Sequence, residues 1–230
     1  MSSTEHVIVI ADGDVDAAVL ATLARVDAGG GRKLVIAADG GAAQALAADV
    51  TPDIVVGDFD SLDSQRRSRL QELGVELREA VPDKDESDME LSLLAALGAG
   101  ATRISIVGAL GIARPEHSIA NLLLLADPRL DGIAVELVGR GSRIVRIGTA
   151  EGPGEIMVTG VVGDFVSLFP LGGSVDGVTT EGLRFRLRDE SLPLGPSRGL
   201  SNELLAATAR VTSRRGCLLV VHTARASAEP

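Results

Sequence analysis

From Val7 to about Val138 the chain alternates short apolar runs with stretches of helical periodicity. "HVIVIADGD" precedes "DVDAAVLATLARV", "KLVIAADGG" precedes "AAQALAADV", and "DIVVGDFDS" precedes "SQRRSRLQELG". The pattern continues through "VELREA" and "SDMELSLLAALGAG", then "RISIVGALG" and "PEHSIANLLLLADPRL", and ends in "GIAVELVG". Such alternation predicts βαβ units, and hence an α/β domain built on a parallel sheet with helices on both faces. Beyond "GTAEGPGE" the pattern changes: "EIMVTGV", "DFVSLFPL", "GVTTEGLRFRL" and "CLLVVHTA" read as strands separated by Gly and Pro turns. The expected division is therefore an α/β domain over 1–148 and a smaller all-β domain over 149–230. "GTAEGPGE" serves as the linker or as one long hairpin loop, and the tail "ARASAEP" is expected to fray.

Composition narrows the function classes. The 230 residues are 45% hydrophobic, enough for one large or two modest cores. No run approaches the roughly 18 apolar residues of a membrane span, and the N-terminus lacks signal-peptide features, so a cytoplasmic protein without membrane partners is expected. The single cysteine, Cys217, lies in an apolar run and reads as a small buried hydrophobe. A net charge of −10 repels phosphate backbones and excludes nucleic acid as the natural partner. It also repels free ATP, so a nucleotide site here needs a cation or a local basic group.

Candidate chemistry lies at the strand exits. Ligands of open α/β sheets bind at the carboxyl ends of the parallel strands. Asp39 leaves one strand, and Asp58 and Asp60 leave another in "PDIVVGDFDSL". Alternation along an extended segment would aim Asp58 and Asp60 at a common point and turn Phe59 to the packing side, with Gly57 allowing close approach or an unusual backbone angle. In "PDKDESDMELSLLAALG", Ser87 and Glu90 fit a capping box that starts a helix near Asp88. Each acidic group taken alone also suits a bland role, turn chemistry for Asp39, Asp58 and Asp60 and a helix-dipole contact for Asp88. Together they converge on one rim, where two like charges about 4 Å apart repel by roughly 4 kcal/mol at an effective dielectric near 20. Such a cluster calls for a cation, and oxygen-only ligands suit Mg²⁺, which commonly couples carboxylates to substrate phosphates. Lys84, one of two lysines in the chain, sits inside the same motif, where it reads either as a phosphate contact or as solvated surface charge. Neither G-x-x-x-x-G-K-[ST] nor G-x-G-x-x-G occurs.

In order along nearly the whole chain, "ADGGA" (38–42), "PDIVVGDFDSL" (52–62), "PDKDESDMELSL" (82–93), "GALG…RPEH…AN" (108–121), "SLFPLGG" (167–173), "GVTTEGLRFRL" (177–187) and "GLSNEL" (199–204) resemble the motifs of the thiamine pyrophosphokinases. The resemblance implies an N-terminal Rossmann-like α/β domain with the nucleotide and metal site, a C-terminal β-sandwich, and a homodimer with thiamine sites between subunits. It implies Mg²⁺ bound by Asp39, Asp58, Asp60 and Asp88, with Asp88, Asp58 and Asp60 in catalytic roles and Asp88 the candidate general base. The expected reaction transfers the pyrophosphoryl group of ATP to the hydroxyl of thiamine, giving thiamine diphosphate and AMP. Candidate nucleotide contacts are Gly40, Gly41, Ser61, Lys84, Asp85, Arg114 and His117, and candidate thiamine contacts are Thr179, Thr180, Ser201 and Asn202, small polar groups that equally suit turn and edge-strand hydrogen bonding. After "GALG" the family pattern G-G-R-x-D-H is replaced by "GIARPEH", with one extra residue and Glu116 in place of Asp. Two rival readings stay open: transfer to another hydroxyalkyl heterocycle such as a hydroxymethylpterin, and a catalytically silent nucleotide- or thiamine-binding module.

Overall fold

The computed structural model describes residues 4–25, 32–60, 62–81, 83–111 and 114–225. Ser61 and the end of the tail, both subjects of expectations above, lie outside them. Two compact units are formed, residues 1–124 with 132–139, and residues 125–131 with 140–230. The division expected at residue 148 falls inside the second unit.

The first unit carries six strands, β1 (Thr4–Ile10), β2 (Arg32–Ala38), β3 (Ile54–Gly57), β4 (Glu76–Glu79), β5 (Arg103–Val107) and β6 (Ala134–Gly139). They pair in the order β4-β3-β2-β1-β5-β6, all parallel. The helices are α1 (Ala17–Arg25), α2 (Gly41–Ala47), α3 (Ser64–Glu72), α4 (Asp88–Gly98) and α5 (Pro115–Leu124). Ile8 and Ile10 of β1 share a core with Leu20, Ala42, Ala45 and Leu70 from α1, α2 and α3. Val7, Val9 and Ile36, of opposite parity, are equally buried, and α4 packs against β1, β2 and β3. Because successive strand side chains face opposite ways, runs such as "VIVI" are apolar throughout for lack of any solvated face. Local signals set the helix starts: the Asp63 carboxylate accepts from Arg66 N (2.7 Å), and the Ser87 hydroxyl accepts from Glu90 N (3.1 Å). Pro115 occupies the first position of α5, where its missing N–H costs nothing. The sequence order reverses between β1 and β5, which makes the carboxyl rim beside β1 the topological switch point.

Away from that rim, His6 enters a buried polar chain. Ser105 Oγ donates to Glu136 Oε1 (2.7 Å), which also accepts from Arg103 Nη2 (2.8 Å). With its proton committed to Glu136, Ser105 accepts from His6 Nε2 (2.9 Å). Burial, followed by the Arg103 and Lys33 cations, pushes the His6 pKa below its ordinary 6.5 against the opposing pull of Glu136. A histidine depressed in the folded state binds its proton more readily when unfolded, so its contribution is complete above pH 6.5 and is lost as pH falls from there toward the lower folded value. Melting curves between pH 7.5 and 5 are expected to show this decline, at most about 1.4 kcal/mol for each pH unit between the two values. His6→Gln should flatten it, and equal slopes in both proteins would refute the assignment.

The second unit is β-rich: β7 (Ser142–Ile147), β8 (Gly154–Thr159), β9 (Phe165–Glu181), β10 (Glu190–Leu192), β11 (Asn202–Glu203), β12 (Thr208–Ser213) and β13 (Arg215–Thr223), with a 3₁₀ turn at Pro128–Leu130. Their order β7-β13-β9-β12-β8 places β9 at the centre. β9 pairs with β13 through its first half and with β12 through Thr179–Glu181. The separate strands expected from "DFVSLFPL" and "GVTTEGLRFRL" are thus one strand of 17 residues, and "LRFRL" leaves it after Glu181. Gly172, in the stretch expected to turn, and Gly177, at the start of the second expected strand, take positive φ (75° and 68°) and bend a strand whose flanks both have partners. β7 and β12 were not singled out because polar residues interrupt their inward positions; in β12 only Ala209, Val211 and Ser213 face the interior. "GTAEGPGE" connects β7 to β8, and Cys217 is buried, with its thiol pKa raised first by burial.

Candidate active site

The acidic rim is assembled from the ends of neighbouring strands. Asp39, immediately after β2, adopts φ +39° and donates its N–H to Val56 O of β3 (2.9 Å). Its side chain is nearly inaccessible (7%). Gly57 makes this possible through space rather than conformation, since a Cβ there would stand 2.8 Å from Asp39 Cβ.

Asp58 and Asp60 converge by a different route from the expected pleat alternation. The strand ends at Gly57, and Phe59 between the two aspartates adopts φ +62°. A left-handed conformation is costly for a bulky residue, on the order of 1–3 kcal/mol. The turn is held because Phe59 packs into the core, the Arg67 guanidinium lies 5.1 Å from its ring centroid, and Asp60 N donates to Asp58 Oδ1 (3.2 Å). Among the described residues, Asp39, Asp58 and Asp60 each offer a carboxylate oxygen within 4.8 Å of the others'. Three oxygen donors without nitrogen or sulfur match a hard divalent cation.

Asp88, the fourth expected ligand, stands outside that trio. It opens α4 and accepts from Lys84 Nζ on Oδ1 (2.7 Å). The lysine side chain retains only 11% of its exposure and the aspartate 30%. Burial works against the ammonium, yet the hydrogen bond from Lys84 to Asp88 and the fields of Asp88, Asp58 and Asp39 leave its pKa raised. Lys84 is thus the local basic group of the acidic rim, not a solvated surface charge.

Gly40 and Gly41 are buried at the start of α2, where a Cβ on Gly41 would overlap the Ile10 carbonyl. Asp85 is exposed nearby in sequence. Arg114 and His117 are exposed, and the Arg114 guanidinium donates to Glu116 Oε1 (2.8 Å), holding that carboxyl below the usual range. The loop before them is tied to α5: Ser118 Oγ accepts from Gly111 N and donates to Gly111 O, both 2.9 Å, and Asn121 Nδ2 donates to Ala109 O (2.8 Å). A residue outside the expected set is Asp12, whose carboxylate lies where a side chain on Gly40 would be. Its signal is in the sequence, since "VIVIADGD" repeats the strand-then-aspartate pattern of "VIAADGG" and "IVVGDFD".

In the second unit the candidate thiamine contacts are largely engaged with backbone. Thr180 Oγ1 accepts from Leu187 N (2.9 Å) and Thr179 Oγ1 from Asp189 N (3.0 Å). Asn202 grips Phe185 from both sides, accepting its N–H on Oδ1 (2.9 Å) and donating Nδ2 to its carbonyl (2.7 Å). These bonds fix the segment after β9 and leave the Phe185 ring 59% exposed. Ser201 is exposed at φ +55°, its N–H bonded to Ser167 Oγ (2.9 Å).

Residues 30–137 match the model of the thiamin pyrophosphokinase catalytic domain, and residues 155–218 match that of the thiamin pyrophosphokinase vitamin B1 binding domain. A thiamine pyrophosphokinase of Bacillus subtilis is 27% identical over 191 residues, 83% of this chain and 87% of that protein. The crystal structure of thiamine pyrophosphokinase from Bacillus subtilis superposes with a TM-score of 0.80 at 24% identity, over 96% of this chain and 99% of that one. Thiamin pyrophosphokinase from Candida albicans gives 0.75 at 15% identity, over 96% and 89%. The two structures show a shared fold. With both domain models matched in order, one over the carboxylate rim and one over the β-rich unit, the chain belongs to the thiamine pyrophosphokinase family.

Proposed function

We propose that the chain transfers the pyrophosphoryl group of ATP to thiamine, giving thiamine diphosphate and AMP, at a Mg²⁺ site formed by Asp39, Asp58 and Asp60. The observation that carries this reading is the convergence of those three carboxylates on the sheet's carboxyl rim, within a segment matched by the catalytic-domain model. In the step itself, the thiamine hydroxyl oxygen bonds to the β-phosphorus of ATP. The bond from that phosphorus to the α,β-bridging oxygen breaks, AMP departs, and the hydroxyl proton passes to a carboxylate oxygen of Asp88. Mg²⁺, when bound, supplies charge neutralisation to the phosphate oxygens, the chief demand of phosphoryl-type transfer. The chain's own part is positional. Gly57 and the Val56 carbonyl set Asp39, the Phe59 turn sets Asp58 and Asp60, and the Ser87 cap sets the start of α4 on which Asp88 stands.

The match of residues 155–218 to a vitamin B1 binding domain favours thiamine over another hydroxyalkyl heterocycle. Phe185 supplies an exposed ring for stacking in a chain without Trp or Tyr. A homodimer is part of the same proposal, carried by the family resemblance.

The test is product analysis with purified protein, ATP and Mg²⁺, with and without thiamine. AMP and thiamine diphosphate are expected in equal amounts and only when thiamine is present. ATP binding without thiamine-dependent AMP would overturn the reading in favour of another acceptor or a silent binding module.

A further inference from the structure

Lys84 and Asp88 form an ion pair at 2.7 Å with the lysine nearly buried, while Asp39, Asp58 and Asp60 form their trio without Asp88. While that pair stands, the negative charge of Asp88 is already compensated and one of its oxygens is occupied. We propose that Lys84 gates the loading of the site: it withholds Asp88 from the cation at Asp39, Asp58 and Asp60 until the nucleotide's polyphosphate draws the lysine away. The inference rests on the pyrophosphokinase reading above and adds an order of events to it.

Three features support the exchange. The ammonium sits on a flexible four-carbon stem, and Lys84 lies in the connection before the helix cap at Ser87, so it can leave without unwinding α4. The fields of Asp58 and Asp39 act on it as well as that of Asp88, so it lies within electrostatic reach of the trio. In a chain of net charge −10 it also gives the acidic rim a cation for an incoming polyphosphate. Displacing it frees Asp88 both to complete the metal site and to take the alcohol proton, so metal and nucleotide must favour each other's binding reciprocally.

The probe is Mn²⁺, followed by electron paramagnetic resonance, with and without an ATP analogue carrying a methylene group in place of the α,β-bridging oxygen. In the natural chain the analogue is expected to tighten Mn²⁺ binding at least about tenfold, within the usual span of coupling between sites. Lys84→Met should bind Mn²⁺ alone about tenfold more tightly and lose most of the coupling, whereas Lys84→Arg should retain it. In an Asp88→Asn background, Lys84→Met should give much less tightening, only what the direct field of Lys84 on Asp39 and Asp58 supplies. Unchanged coupling in Lys84→Met, or full tightening in the Asp88→Asn background, overturns the gate and leaves the metal site standing. Failure of the natural chain to bind Mn²⁺ even with the analogue overturns both readings.

Discussion

Asp58→Asn is expected to abolish transfer while making the folded chain more stable. Asparagine keeps the oxygen that accepts from Asp60 N, so the turn at Phe59 survives and only the charge is lost. Loss of one charged ligand from a site that works by neutralising phosphates should lower kcat by about a thousandfold, the scale of removing one preorganised electrostatic contact. Stability should move the other way. Carboxylate oxygens within 4.8 Å of each other repel by about 3 kcal/mol per pair at an effective dielectric of 20. Asp58 is half-buried and Asp60 exposed, so solvent and salt reduce the relief to about 1 kcal/mol. That is worth about 2–4 °C in melting temperature for a chain of this size, read in EDTA. Added Mg²⁺ should raise the melting temperature of the natural chain, because it binds the folded state, and should do so less in the variant. Activity within tenfold of the natural chain, or a lower melting temperature in EDTA, would remove Asp58 from the site.

Gly57→Ala should damage the same site without touching a charge. The added Cβ would stand 2.8 Å from Asp39 Cβ and 3.3 Å from its Cα and Cγ, closer than packed atoms tolerate. Asp39 has little room to yield, since it is buried at φ +39° with its N–H committed to Val56 O. A shift of a fraction of an ångström in one ligand is expected to cost about a hundredfold in kcat/KM. Overpacking should cost about 1–3 kcal/mol of stability. Gly98→Ala is the control, because nothing lies within 4 Å of its Cβ position and it sits in α4. That change should leave activity alone and stabilise by up to about 1 kcal/mol. If Gly57→Ala matches Gly98→Ala in kcat/KM, the close approach to Asp39 has no functional weight.

Much of this site could be read from residues alone because its signals are local. An apolar strand that ends in aspartate, a Ser-x-x-Glu start to a helix, and a proline at a helix's first position all act within one turn of chain. The parts that escaped are those in which distant segments decide. Phe59 could not be read as left-handed, because the energy holding it there comes from the core and from Arg67. Thr180 and Asn202 suited ligand contact and turn or edge-strand hydrogen bonding equally, and the bonds to Leu187 and Phe185 that decide between them depend on how the segment after β9 folds back. The stretch from Gly172 to Asp176 read as a turn because nothing nearby in sequence reveals that β13 and β12 hold the strand on either side of it.

By itself, the sequence determined the alternating α/β unit, the polarity of its strands, and the aspartates standing at their carboxyl ends, because periodicity and capping are properties of a few consecutive residues. Tertiary structure alone decided which carboxylates meet. Parallel pairing of β2 with β3 brings Asp39 to Asp58 and Asp60 across a glycine, while Asp88 stands outside the trio, paired with Lys84. The physical reason is that a shared site requires distances of a few ångströms between residues far apart in sequence, and only the packed sheet sets those distances.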